Sequence, residues 1–285
     1  MKIIISTLNE SLHSSLRFKE EALSLGLETQ IINPYKSHLS SQDSQQLKKE
    51  KALYLHRTTG TNFDDFDLIL SEHLTNMGVR VSNPAHTITI LRGKDQQLLY
   101  FIKENISHIP SLIYRGELTS ELKDKIESYH GGFILKMTRG NKGIGVNYVA
   151  NKKSLFSLLE TFYYMRDQRF LIQPFIKHKK EFRVFIIKNK VSAIIERSIG
   201  EEDFRGNANR QDNAQNISLD PNSPLVEFAL NAVQNLDVDY CGLDILIDDQ
   251  DQYRLLEINL IPGFEQVENL SGKNIAREIL TSLLN

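Results

Sequence analysis

Apolar and polar positions recur with two periods along the chain, and the changes of period mark its elements. Lys2–Ser6 is an apolar run of strand length, Leu12–Leu25 is amphipathic at helical spacing and stops at Gly26, and Glu28–Ile32 is a second strand closed by Asn33-Pro34. Tyr35–Glu50 is polar and rich in Ser and Gln, an exposed excursion. Ala52–Leu55 then predicts a strand, Asp67–Met77 a helix ending at Gly78, and Val79–Ser82 another strand. This alternation predicts a small parallel sheet flanked by helices, a unit that supports many functions and identifies none. His56-Arg57-Thr58-Thr59-Gly60 follows a strand, where ligands settle in open α/β sheets; a surface turn fits the same residues equally well.

Asn83-Pro84 marks a boundary, and the pattern changes beyond it. Thr87–Asn105 predicts one helix with Arg92 and Lys94 near its start. Gly131–Gly145, GGFILKMTRGNKGIG, reads as a turn, a short strand and a glycine-punctuated basic loop, with another strand at Val146–Val149. Ser154–Met165 predicts a helix, and Arg169–Ile176 a strand broken by Pro174, which suits an edge or a link between lobes. Lys177–Lys180 reads as a basic turn, either a solvated patch or part of a site. Glu181–Glu196 is a hairpin turning at Lys188-Asn189-Lys190, so Glu181 and Arg183 share a face. Ser198–Ser218 is a long polar loop containing Arg205, Asn207, Asn209 and Arg210, and a loop of that length in a compact domain is functional or disordered. Leu225–Leu236 and Ile275–Leu284 predict helices.

Between those helices lies the stretch that carries the chemistry, Cys241–Gly263, CGLDILIDDQDQYRLLEINLIPG. Its pattern predicts strands at Val238–Ile247 and Tyr253–Ile261 joined by the turn Asp248–Gln252. Asp244, Glu257 and Asn259 interrupt apolar surroundings, and strand alternation puts Glu257 and Asn259 on one face. A hairpin brings Asp244 opposite them. Two carboxylates and a carboxamide make a hard-oxygen set suited to Mg²⁺ or Mn²⁺. Acids capping strand ends in solvent are the competing reading, opposed by Leu255, Leu256, Ile258 and Leu260, which imply burial.

Lys136 sits inside an apolar strand and therefore needs a partner, for which a phosphate is a natural choice. Gly140, Gly143 and Gly145 let backbone N–H groups approach an anion, and Arg139 and Lys142 add charge. The Gly-Lys-Ser/Thr order of a P-loop is absent, and a strand rather than a helix follows.

Composition narrows the classes further. The chain has 285 residues, room for one large domain or two to three small ones, and its 40% hydrophobic and 25% charged residues are ordinary for a globular protein. A formal net charge of −2 gives no global field toward nucleic acid or membrane. Cys241 is the only cysteine, so no internal disulfide or thiol-rich metal site forms, and its apolar strand implies an inert buried thiol. No stretch approaches the roughly 18 apolar residues of a membrane span. The opening MKIIIST is too short an apolar run for a signal peptide, which makes the cytoplasm the default compartment.

Taken together, LRGK (Leu91–Lys94), FILKMTRGNKGIGV, LIQPFIK, EFRVF, IIERSIGEEDFRGN, GLDIL and LLEINLIPGFE resemble the ATP-grasp superfamily. Within it they resemble the RimK-like ligases that extend ribosomal-protein tails with glutamate. The likeness runs in order over most of residues 91–265; the first ninety residues fit less distinctively, with Asn83-Pro84 and His56-Arg57 in similar places. It implies an α/β protein built of α+β lobes: a Rossmann-like preATP-grasp domain over 1–86, a central lobe over 87–176, and a C-terminal lobe with the metal site over 177–285.

The resemblance further implies ATP held between the lobes. Lys94 and Lys136 would lie on its phosphates, Arg139–Gly145 would cover it (Arg139, Gly143 and Gly145 included), and the backbone of Gln173, Pro174, Phe175 and Ile176 would read adenine. Glu181 would contact the nucleotide, Arg205 and Asn207 would sit by the phosphates, and Asp244, Glu257 and Asn259 would hold Mg²⁺ or Mn²⁺, with two ions expected. The family's chemistry phosphorylates a carboxylate, and an amine then attacks the acyl phosphate, with Arg183 and Arg205 stabilising developing charge. Pro174 stands where an acidic residue is common, Glu181 replaces an Asp, and Gln211-Asp212 stand where RimK proteins tend to carry Gly-Gly. The expected partners are a carboxylate or amino-acid donor and an amine acceptor, such as an acidic peptide or protein tail, without nucleic acid or membrane; assembly into a homo-oligomer stays open. The alternatives are a glutathione-type or other small-peptide ligase, an ATP-grasp kinase, and a nucleotide-binding regulator.

Overall fold

The computed structural model describes residues 1–39, 51–59, 64–140, 143–164, 169–197 and 214–285. Lys2–Ser6 (β1), His13–Ser24 (α1), Glu28–Ile32 (β2), Ala52–His56 (β3), Phe66–Asn76 (α2) and Arg80–Ser82 (β4) follow the predicted alternation. The strands lie parallel in the order β2-β1-β3-β4. A parallel sheet is covered on both faces, which is why β1 is apolar on both. Ile3 and Ile5 pack with Phe18 of α1, whereas Ile4 packs with Tyr54, Leu70 and Leu74 on the opposite side.

The single helix expected at Thr87–Asn105 is two helices, Ala85–Arg92 (α3) and Lys94–Lys103 (α4). Gly93 between them is extended, at φ −98° and ψ 138°, and its N–H donates to Gln96 Oε1 at 3.2 Å, capping α4. The Lys94 N–H meanwhile donates to the Thr138 carbonyl at 2.8 Å. The break turns α4 so that Lys94 opens it beside the glycine loop.

A second sheet is antiparallel, in the order β5-β8-β6-β7, from Leu112–Tyr114 (β5), Phe133–Met137 (β6), Val146–Val149 (β7) and Phe170–Pro174 (β8). Ser120–Glu127 (α5) and Lys152–Thr161 (α6) cover one face through Ile126, Leu155 and Leu159. β5 and α5 are elements that the apolar pattern left unmarked.

The third sheet holds His178–Ile187 (β9), Lys190–Arg197 (β10), Ala214–Asn216 (β11), Tyr240–Asp248 (β12) and Tyr253–Asn259 (β13), in the order β11-β10-β9-β12-β13. The turn expected at Lys177–Lys180 is instead the start of β9, because β12 is long enough to pair Ile247 with Lys180 and Asp248 with His178. The end of the expected loop Ser198–Ser218 is likewise a strand, β11, paired with β10. One face of the sheet packs Phe182, Val184, Leu243 and Ile258 against α3, α4 and Pro224–Asn231 (α7). The other packs Phe185, Ala193 and Ile195 against α1, Glu265–Ser271 (α8) and Ile275–Leu284 (α9). α9 buries Ile275, Ala276, Ile279, Leu280 and Leu283, one stripe at helical spacing, and Asn274 caps it by accepting the Arg277 N–H at 3.0 Å. No helix among the described residues is long and apolar enough to cross a membrane.

Candidate active site

The two antiparallel sheets face each other across a cleft of about 350 Å³. On the five-stranded side its floor is a row of charges set by register: Arg183 pairs with Asp244, and Asp244 with Glu257. Arg183 Nη1 donates to Asp244 Oδ2 at 2.8 Å. Gly242 makes that reach feasible, since a Cβ there would lie 2.7 Å from the Arg183 guanidinium. A neighbouring row sets Arg197 opposite Glu181. Arg197 Nη1 donates to Glu181 Oε1 at 3.2 Å and reaches Asp244 Oδ1 at 3.4 Å, while its Nη2 donates to Gln266 Oε1 at 3.1 Å.

Two β-bulges decide which side chains enter the cleft. An unbroken ladder from the Lys188-Asn189 turn would put Glu196 opposite Glu181, acid against acid. The irregularity between Val191 and Ala193 advances the register by one and brings Arg197 there instead. A second irregularity pairs Asp244 with Glu257 but Ile245 with Leu255, leaving Leu256 as the extra residue. Leu256 and Glu257, neighbours that an ideal strand would point to opposite faces, therefore both line the cleft. Together with Ile134, Val146 and Leu246, Leu256 gives the cleft apolar walls wide enough for a flat ring.

On the facing sheet Lys136 reaches the same cleft from β6. Burial pushes its ammonium down to about 8, with Lys94 acting in the same direction and the acids Glu257, Glu181 and Asp244 opposing. Lys94 Nζ lies 3.4 Å from the Gly140 carbonyl and 4.0 Å from Glu257 Oε2. Two lysines converging in a partly buried space destabilise one another until an anion arrives, an arrangement that favours polyphosphate. Ile144, 73% exposed at the loop, presents an apolar side chain to the cleft mouth.

Of the residues named from the sequence, Lys94, Lys136, Gly143, Gln173, Pro174, Phe175, Ile176, Glu181, Arg183, Asp244, Glu257 and Asn259 all border this one cleft. Gly145 closes the loop hairpin behind it, its carbonyl accepting the Met137 N–H at 2.9 Å. Arg139 binds Asp65 of the N-terminal sheet unit through both terminal nitrogens, at 2.9 and 3.0 Å. The Ile176 carbonyl is contacted by His178 Nδ1 at 3.0 Å. Arg205 and Asn207, with Lys142 and Arg210, lie outside the described residues. Arg197 and Gln266 belong to the cleft and carried no assignment in the sequence; Arg197 stood inside a quoted motif, but its register depends on the Ser192 bulge.

A RimK-like ATP-grasp domain model matches residues 92–283. The chain belongs to the RimK-like ATP-grasp family. ATP-grasp ligases join a carboxylate to an amine at the expense of ATP, and this chain is such an enzyme. A probable alpha-L-glutamate ligase of Coxiella burnetii is 30% identical over 289 residues, covering 98% of this chain and 94% of the relative. In fold, the RimK-domain ATP-grasp protein of Sphaerobacter thermophilus superposes with a TM-score of 0.76 at 17% identity over 100% of both chains. The ATP-grasp ligase PsnB complexed with precursor peptide PsnA2 and AMPPNP gives 0.71 at 15% identity, over 99% of this chain and 96% of that one.

ATP-grasp ligases use ATP and usually Mg²⁺ or Mn²⁺, and the donor set of this RimK-like chain fits such a cation. Asp244, Glu257 and Asn259 supply oxygen only, on one floor, within reach of both lysines. The oxygens engaged by Arg183, Arg197 and the Ile261 N–H each keep a second lone pair for a cation.

Proposed function

We propose that this ligase adds an amino acid such as glutamate to a peptide or protein acceptor through an acyl phosphate. The observation that carries the reading is the one cleft lined by both lysines and by the Arg183–Asp244–Glu257 row. The relatives named probable alpha-L-glutamate ligase support the amino acid, and PsnB with its precursor peptide supports the acceptor class.

In this reading ATP lies with adenine between Leu246, Leu256 and Ile134, against the backbone of Gln173–Ile176, and Lys94 and Lys136 take its phosphates. Glu181 contacts the nucleotide. Asp244, Glu257 and Asn259 would hold Mg²⁺ or Mn²⁺, with two ions expected, which would neutralise charge on the transferring phosphoryl group. A donor carboxylate oxygen attacks the γ-phosphorus and ADP leaves. The acceptor amine then attacks the acyl carbon, the acyl carbon–oxygen bond breaks as phosphate leaves, the proton the amine gives up goes to that phosphate, and the amide forms. Arg183, held by Asp244 at the cleft floor, stabilises the oxyanion of the tetrahedral step; Arg205 and Asn207 are assigned to the phosphates on resemblance alone. We assign the segments 1–86, 87–176 and 177–285 to the preceding domain and the two grasp lobes, with α3 and α4 buried on the C-terminal sheet.

The test is ADP release across a panel of amino acids, dipeptides and acidic peptide tails, with mass spectrometry of products. With the correct carboxylate and no amine, hydroxylamine is converted to a hydroxamate as ATP becomes ADP and phosphate. AMP and pyrophosphate would overturn the acyl-phosphate route. A stable phosphate ester would establish the kinase alternative, and a product only with free amino acids the small-peptide ligase.

A further inference from the structure

β13 is an edge strand: the Leu255 N–H donates to the Ser107 carbonyl at 2.9 Å in an isolated bridge, and beyond it the outward backbone groups of the segment carrying Glu257 and Asn259 have no neighbouring strand among the described residues. Buried side chains from three separate segments take that place at every second residue. Gln97 of α4 grips Ile258 from both sides, accepting its N–H at 3.0 Å and donating to its carbonyl at 3.1 Å. The same amide donates to the Leu91 carbonyl at 2.7 Å, tying α3 to the strand. Asn83, between β4 and α3, donates to the carbonyls of Leu260 and Tyr240 at 2.6 and 2.8 Å, and its Oδ1 accepts the N–H groups of Asp239 and Tyr240 at 2.8 and 3.3 Å. That uses the whole donor and acceptor capacity of one carboxamide. It sits where the β12–β13 ladder ends, after the pair Gly242–Asn259, and bridges the two strands there. Arg57, just past β3, donates to the Pro262 carbonyl at 2.8 Å and to Ser14 Oγ at 3.0 Å, with Phe18 and Phe264 beside its guanidinium.

We propose that Gln97, Asn83 and Arg57 are positioning residues for the cation and phosphate floor. By fixing Ile258, Leu260 and Pro262, they aim Glu257, which adjoins Ile258, and Asn259, which lies between Ile258 and Leu260, into the cleft, and they set the turn that ends at Gly263. All three are at most 5% exposed, so they act through the backbone of the segment and touch no ligand. The proposal rests on the assignment of Glu257 and Asn259 as cation ligands.

The experiment measures Mn²⁺ affinity of the full chain with AMPPNP by electron paramagnetic resonance, nucleotide affinity in EDTA, and amide exchange at Ile258 and Ile261. Gln97→Met is the first variant; Arg57→Lys, which keeps the charge but not the two hydrogen bonds in place, is the second if the first does not fold. Leu283→Ala in α9 serves as a destabilised control remote from the strand. Mn²⁺ affinity is expected to fall about tenfold or more, the cost usual for outer-shell partners of metal ligands, with faster exchange at both amides and metal-free nucleotide binding within about twofold. Leu283→Ala leaves the Mn²⁺ affinity unaltered. Unchanged Mn²⁺ affinity and exchange in a folded Gln97→Met protein overturns the proposal, as does an equal loss in Leu283→Ala. Glu257→Gln separates the two levels: if it weakens Mn²⁺ and Gln97→Met does not, only the positioning role fails. If Glu257→Gln leaves Mn²⁺ affinity intact, the ligand assignment fails and the proposal with it.

Discussion

Asp244 and Glu257 stand directly opposite one another in the β12–β13 ladder, two acids where cross-strand pairs of like charge normally repel. Asp244 is compensated by Arg183 and Arg197, whereas Glu257 has Lys94 at 4.0 Å. Glu257→Gln removes the repulsion and leaves the shape, so the folded protein should be as stable or gain up to ~1 kcal/mol. Turnover should nevertheless fall at least about 100-fold, near 3 kcal/mol of transition-state stabilisation, because a carboxylate ligand is gone. Thermal melting beside ADP release reads both. Near-normal ADP release from folded Glu257→Gln removes this residue from the cation site.

Lys136 makes the same trade between stability and function, with a pH dependence added. Its folded value of about 8 lies below the ordinary 10.5 of lysine, mainly through burial. Below pH 8 the ammonium is charged in both folded and unfolded chains, and its burial penalty stands in full against the fold. Between about 8 and 10.5 the folded chain has released the proton and the unfolded chain has not, so stability rises with pH across that window. Lys136→Met should therefore be more stable than wild type at pH 7 by about 1–3 kcal/mol, with the gap closing toward pH 10. Its ATP turnover should be lost. Nucleotide-free unfolding at several pH values tests this; a gap independent of pH contradicts it.

Asp65 carries two guanidinium groups, Arg139 at 2.9 and 3.0 Å and Arg92 at 2.9 Å. Although partial burial pushes the other way, these cations hold its carboxyl below the usual carboxylate range. The pair with Arg139 ties the root of the glycine loop to the residue that precedes α2. Asp65→Asn should loosen that root and raise KM for ATP about three- to tenfold with a smaller change in kcat, the pattern of a lost ground-state contact. Steady-state kinetics at two salt concentrations check it. A fall in kcat at constant KM would mean the pair acts on the chemical step.

Much of this site was legible because strand periodicity is strict. Asp244, Glu257 and Asn259 declared themselves as oxygen donors in apolar strands, and Lys136 as a cation inside one. What stayed hidden depends on contacts between segments distant in sequence. Gln97 reads as an ordinary polar helix position; only the docking of α4 against β13 shows its carboxamide on Ile258. Asn83-Pro84 read as a boundary, and its φ of +53°, tolerable for Asn, marks a turn without revealing which carbonyls it meets. The break at Gly93 was missed because one glycine in a helical pattern is often tolerated, and here capping by Gln96 and the bond from Lys94 to Thr138 decide against continuity. Neither bulge is written in composition or period.

The Ser192 bulge carries the last prediction. By bringing Arg197 opposite Glu181 it sets one guanidinium against Glu181, Asp244 and Gln266 together. Replacing it by Ala leaves two largely buried carboxylates with less compensation, and breaking such a pair from one side costs about 3–5 kcal/mol when burial is complete. Arg197 keeps some solvent access and Asp244 retains Arg183, so about 1–3 kcal/mol is expected for Arg197→Ala. The uncovered acids should then favour any cation offered to them. Mg²⁺ with AMPPNP should raise the melting temperature of Arg197→Ala more than that of wild type, while KM for ATP rises because Glu181 loses its bond to Arg197. Serine in place of alanine, which also lacks the charge, should behave alike; lysine, which restores a charge without the fork, should recover part of the stability but not the nucleotide affinity. Equal Mg²⁺ stabilisation of wild type and Arg197→Ala would show that Asp244 does not face the cation, and would confine Arg197 to holding Glu181.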